Sequence, residues 1–173
     1  MTHYRRVTTA DPGPPPSLVH SERMASRSDS SDVWSGTLVL PGRTIVRGRG
    51  VRDPVPGGLE PDFGLYLGVD YTPRWEHERL EWPDFGVPRD PLLAVRAIER
   101  LYRRAHDGEH VETACKAGKG RTGTVVACLA ILDGLTPSHA VSWTREHYHY
   151  RAVQTPWQRR WVLRFAEMSR RRA

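Results

Sequence analysis

Nine residues, Cys115-Lys-Ala-Gly-Lys-Gly-Arg121-Thr122-Gly123, join two segments of unlike pattern. Upstream, His110 to Cys115 alternates as a short strand does. Downstream, Thr122 to Leu132 is nearly all apolar or small, as a helix buried on every side would be. A strand that passes through a glycine-rich turn into a buried helix is the unit of a layered α/β fold. Three uses of such a turn compete. Gly118, Gly120 and Gly123 satisfy the G-x-G-x-x-G pattern of a dinucleotide fold. That fold also needs a second strand after the helix and an acidic residue about 20 positions on, whereas Thr136-Pro137 opens another helix here. A Walker A loop fails because Gly118-Lys119 is followed by Gly120 rather than Ser or Thr. The third use is a phosphate cradle with a nucleophile at its base. The residues between Cys115 and Arg121 can curl around a phosphate dianion with their N–H groups inward, and glycines permit the dihedrals this needs. The following helix aims its positive end at the same point. That field favours thiolate over thiol. Arg121 can grip two phosphate oxygens in a bidentate fork.

Residues 1–32 read as a disordered tail. Pro12, Pro14, Pro15 and Pro16 lead into the Ser-rich run SERMASRSDSSD, with almost no strong apolar residue to offset the entropy of ordering. A product starting at Met24 would lose nothing a fold needs. Residues 33–169 read as one folded domain, and 170–173 as a basic, solvated end. VWSGTLVL, TIVRGRGV and DFGLYLGV read as short strands bounded by Pro and Gly. Asp70 to Asp90, with Trp75 and Trp82 among three prolines, reads as a loop that packs on something. Pro91 to His106 reads as an amphipathic helix, with Ala94, Ile98, Leu101 and Ala105 opposite Arg96, Arg100, Arg103 and Arg104. Thr136-Pro137 and Thr155-Pro156 read as the starts of two more helices. The last of these lines up Trp157, Trp161, Phe165 and Met168 as a core stripe.

The tail's charges cancel, so the net charge of +6 belongs to the domain and asks for an anionic partner. Arg43 to Arg52 carries four arginines, which suit a solvated edge strand as well as a binding strip. No helix-turn-helix, zinc or RNP-type signature supports a nucleic-acid partner. No run approaches the ~18 to 20 apolar residues of a spanning helix, so integral membrane association is not expected. The N-terminus has no apolar stretch of a secretory signal. Two cysteines exclude a disulfide framework and suit a reducing cytoplasm. Cys128 falls in the apolar helix, where a small buried residue is ordinary. His147 and His149 alternate with Tyr148 and Tyr150, and at that spacing they are a poor ligand pair, so no metal is expected there.

Cys115 to Gly123 resembles the signature loop of the cysteine-dependent protein tyrosine phosphatase superfamily. Trp82-Pro83-Asp84 is similar to the mobile loop that carries that family's general acid. Gln154-Thr155-x-x-Gln158 resembles the glutamine motif that positions its hydrolytic water. The three occur in the family's order, and the likeness runs over residues 33–169. The resemblance implies an α/β fold of the compact, dual-specificity size, with a central mixed sheet of about four or five strands flanked by helices. It implies Cys115 as nucleophile and Asp84 as general acid, then base. The phosphate would be held by Arg121 with Lys116, Ala117, Gly118, Lys119 and Gly120. Thr122 would stabilise the departing thiolate, and Gln154 would orient the water with Gln158 in support. No cofactor and no metal are implied, because Arg121 and the helix end supply the positive charge.

One residue departs from the pattern. The family usually has His immediately before the cysteine, and Ala114 stands there. In the family that His supports the loop and helps keep the thiol ionised, so its absence implies a thiol harder to ionise and some lost rate. Lys116 and Lys119 add cations that favour substrates with more than one anionic group. The loop is similar both to that of phosphoinositide phosphatases of the tensin-homologue type and to that of small bacterial members with protein substrates. The expectation is a phosphomonoester hydrolase with a cysteinyl-phosphate intermediate, acting on phosphotyrosine proteins. The alternatives are a phosphoinositide phosphatase and a catalytically weak, phosphate-binding pseudophosphatase.

Overall fold

A computed structural model of the chain describes residues 36–172. The reading of residues 1–32 as a tail, with Met24 inside it, lies outside the described residues. Five strands form one mixed sheet in the order β1-β2-β5-β3-β4. They are β1 Thr37–Val39, β2 Ile45–Gly50, β3 Phe63–Leu67, β4 Glu76–Leu80 and β5 Val111–Cys115. β1 and β2 are antiparallel, and every other pairing is parallel. The helices are α1 Pro91–His106, α2 Gly120–Leu132, α3 Pro137–His147 and α4 Pro156–Arg170. This is the mixed sheet with flanking helices implied by the sequence.

The buried helix is the hub. α2 packs against α1, α3, α4, β2 and β5, and it is buried from Gly120 through Ala130. It starts two residues before Thr122, so Gly120 and Arg121 belong to its first turn. α1 begins as its sequence predicts. Asp90 caps it by accepting from the Leu93 N–H at 2.9 Å, and Pro91 opens the first turn. Its apolar face, Ala94, Ile98, Leu101 and Ala105, is buried.

Three readings of the sequence are corrected. The stretch from Asp70 to Asp90 contains β4, which runs parallel to β3 at the sheet edge. Its residues, EHERL, lack apolar alternation because ion pairs cover it: Arg100–Glu78 at 3.0 Å and Arg104–Glu76 at 2.7 Å. Two arginines of the polar face of α1 thus serve the edge strand, which is blunted by charge. Secondly, β2 is no solvated edge. Arg47 and Arg49 are buried and share Glu112 of β5, at 2.9 and 2.8 Å to Oε2, while Tyr66 donates to Oε1 at 2.9 Å. Thirdly, Trp157 is 53% exposed, and the core face of α4 is Trp161, Val162 and Phe165.

Candidate active site

Strand β5 ends at Cys115, which is 2% exposed and pairs in register with Gly50 of β2. Its carbonyl accepts from the Val51 N–H at 2.9 Å. Between this strand end and α2 the chain must reverse within four residues. Gly118 makes that possible. Its φ is +70°, and an added Cβ would lie 2.5 Å from the Gly50 nitrogen, so only glycine fits. Lys119 precedes α2 without making a side-chain cap, and the first turn has no acidic residue. The leading N–H groups and the positive end of α2 are therefore free to serve an anion.

Arg121 links this loop to the segment Trp82–Gly86, the acid loop by the role the resemblance implies for Asp84. Its Nη1 donates to the carbonyls of Gly68 and Trp82, each at 3.1 Å, and its Nη2 pairs with Asp84 Oδ1 at 3.1 Å. Its Nε is buried without a hydrogen-bond partner. Gly68 gives the guanidinium its place, since a Cβ there would come within 2.6 Å of Nη1 and 1.9 Å of the Trp82 carbonyl oxygen. Trp82 anchors the acid loop. It is fully buried, lies edge-on to Trp161 with centroids 6.1 Å apart, and donates from Nε1 to the Gly86 carbonyl at 2.8 Å. The loop expected to pack on something thus packs on α4. The Asp84 side chain is itself 61% exposed. Beyond it, the Phe85 carbonyl accepts from Thr155 Oγ1 at 3.1 Å and Trp157 Nε1 at 2.6 Å.

The glutamine motif divides into two parts. Gln154 lies over the first turn of α2, its Oε1 2.5 Å from where a Gly120 Cβ would stand. Gln158 is fully buried, and both ends of its amide are engaged by backbone. Oε1 accepts from the Gln154 N–H at 2.8 Å, and Nε2 donates to the Gly86 carbonyl at 3.3 Å. Thr155 also caps α4 by accepting from the Gln158 N–H at 3.3 Å. Gln158 is thus a strut between α4 and the acid loop. Thr122 is buried beneath the loop, with its hydroxyl 3.5 Å from the Arg49 carbonyl.

A cleft of about 290 Å³ brings Cys115, Asp84, Arg121, Gln154 and Gln158 together. Lys116, Ala117, Lys119 and Gly120 also line it, whereas Gly118 and Thr122 are buried behind it. Three further residues line it that sequence reasoning did not place there: Arg52, Phe85 and Arg151. The arginine run from Arg43 to Arg52 was a signal for the first, and no local pattern marked the others. Burial, together with the charges of Lys119 and Arg151, holds the His149 imidazole below its ordinary range. Cys128 is free and fully buried, and burial pushes its thiol well above the usual range. His147 stacks on Trp143 at 4.7 Å. Among the described residues, no three His, Cys, Asp or Glu side chains gather as a metal set would require, and no helix is long and apolar enough to cross a membrane.

A family model described as PTP-SAK, Swiss Army Knife protein, DSP-PTPase phosphatase domain, matches residues 75–167. Human receptor-type tyrosine-protein phosphatase C is 42% identical over 62 residues, which are 35% of this chain and 5% of that protein. An uncharacterized protein of Methanocaldococcus jannaschii is 36% identical over 105 residues, 60% of this chain and 63% of its own. The chain thus spans less than two thirds of either relative. Among solved structures, the active form of Tk-PTP matches with a TM-score of 0.60 at 22% identity, over 78% of this chain and 98% of that one. A kinase associated phosphatase with its catalytic cysteine replaced by serine matches at 0.53 and 18% identity, over 62% and 70%. These two share the fold.

Proposed function

The chain belongs to the PTP-SAK family of DSP-PTPase phosphatase domains, and on that footing we propose that it hydrolyses phosphomonoesters through a cysteinyl-phosphate on Cys115, with phosphotyrosine proteins as substrate. The support is geometric: a single cleft holds Cys115, Arg121 and Asp84, with the guanidinium 3.1 Å from the carboxylate. A phosphate dianion entering the cleft replaces Asp84 on Arg121 and gives Arg121 Nε a partner. The Cys115 thiolate attacks phosphorus in line. The bond to the leaving oxygen breaks, and protonated Asp84 gives that oxygen its proton. Arg121, the loop N–H groups and the end of α2 hold the charge of the transferring group. Water oriented by Gln154 then attacks the cysteinyl-phosphate, and Asp84, now a carboxylate, takes its proton. The S–P bond breaks, and Thr122 meets the departing thiolate. A working free thiol suits a reducing compartment, so we assign the protein to the cytoplasm.

Phosphate release from a phosphotyrosine peptide tests this. Cys115→Ser should abolish turnover, and Asp84→Ala should lower it by about 10²- to 10⁴-fold. Tight peptide binding without release by the wild type would overturn the reading and leave a phosphate-binding module, with Ala114 as its cause. One observation favours a second substrate class. Arg52, Lys116, Lys119 and Arg151 surround the cleft with cations, which suits further anionic groups beside the scissile phosphate. A phosphatidylinositol trisphosphate and a phosphothreonine peptide in the same assay decide it: faster turnover of the lipid would replace phosphotyrosine protein as substrate.

A further inference from the structure

We propose that Tyr148 is a positioning residue for this reaction: its hydroxyl fixes the peptide between Gly118 and Lys119 so that the Lys119 N–H faces the phosphate. The inference rests on the phosphatase reading above. Tyr148 closes α3, with its own N–H bonded to the Thr144 carbonyl at 3.0 Å. From there its ring crosses β2 at Gly48. A Cβ on Gly48 would lie 2.8 Å from the ring carbon Cε2 and 3.1 Å from the hydroxyl oxygen, so the strand keeps a glycine where the ring must pass. The hydroxyl then donates to the Gly118 carbonyl.

That bond has a consequence inside the loop. In a planar trans peptide the C=O and the following N–H point in opposite directions. A Gly118 carbonyl drawn out to Tyr148 therefore turns the Lys119 N–H toward the cleft lined by Cys115 and Arg121. Gly118, at φ +70°, is also where the loop backbone turns most freely, so a tether there has the most to restrain. Tyr148 is suited to hold it at any working pH. Burial, then electrostatic interaction with Cys115 and Asp53, pushes its phenol far above the ordinary range, so it keeps its proton and remains a donor. The neighbouring rings of the His-Tyr-His-Tyr run are engaged otherwise: His147 stacks on Trp143, His149 accepts from the Arg151 N–H at 2.9 Å, and Tyr150 is 74% exposed. Ala114 offers the loop no polar side chain, and Tyr148 supports it from α3 instead.

Tyr148→Phe keeps the ring and removes the tether. Tungstate binding by calorimetry, which needs no turnover, and steady-state kinetics on a phosphotyrosine peptide compare it with wild type. The expected result is about tenfold weaker tungstate binding and a similar fall in kcat. A merely structural Tyr148 would lower the melting temperature and leave both values of the folded protein unchanged, which would overturn the proposal. Gly48→Ala displaces the ring without altering Tyr148 or any cleft residue. It should weaken tungstate binding to a like degree, and unchanged binding would equally overturn the tether. Wild type that binds tungstate without turnover would instead remove the phosphatase reading, since the binding difference between the two proteins is measured independently of it.

Discussion

Arg121 carries more of the site than any other single side chain. One guanidinium serves the carbonyls of Gly68 and Trp82 and the carboxylate of Asp84, and its buried, unpartnered Nε is the atom the proposed phosphate would engage. An ammonium is a point charge and cannot fill these directions at once. Arg121→Lys is therefore expected to cost about 10²- to 10³-fold in kcat/KM, read by steady-state kinetics. Wild-type kcat/KM in the lysine variant would refute the geometric role. Cys115, Asp84 and Arg121 were legible in the sequence because each sits in a short local motif. Arg52 and Arg151 were not. They reach the cleft only because the end of β2 and the connection from α3 to α4 converge on it. Gln158 was legible in place but not in use, since nothing local shows that its amide is occupied by Gln154 and Gly86.

At the scale of elements, charge patterns misled more than hydrophobic ones, whose miss was Trp157, read into the core stripe of α4 and found exposed. α1 and α2 were legible from periodicity and composition. β4 was hidden because its charged residues find their partners on α1. β2 resembled a surface strand because Glu112, which pairs with both of its buried arginines, lies more than sixty residues away on β5. This cluster sits three residues from Cys115 and ties β2 and β3 to the central strand β5. Removing Glu112 leaves two guanidinium groups buried without their carboxylate. Glu112→Ala should destabilise the fold by about 3–5 kcal/mol, because an uncompensated buried charge costs more than the pair contributed. Urea unfolding checks this: the midpoint should fall with the slope unchanged.

On the scale of the whole molecule, the cleft opens where the parallel strand β5 gives way to α2, the usual place for a site in a sheet of this kind. Four cations surround it on a chain of net charge +6. An anionic substrate should therefore be drawn in by the field, and kcat/KM should fall as ionic strength rises. The double variant Arg52→Ser, Arg151→Ser should flatten that dependence, and an unchanged slope would show that the two arginines steer nothing. Of the 26 basic residues, only Lys116 and Lys119 are lysine, and both stand on the loop that would hold the phosphate. Reagents that acylate or reductively alkylate amines thus find lysine targets in one place, the cleft, and a phosphate bound as proposed should shield them. Conjugation through lysine, which usually decorates an enzyme's outer surface, is for this chain a modification of the site itself.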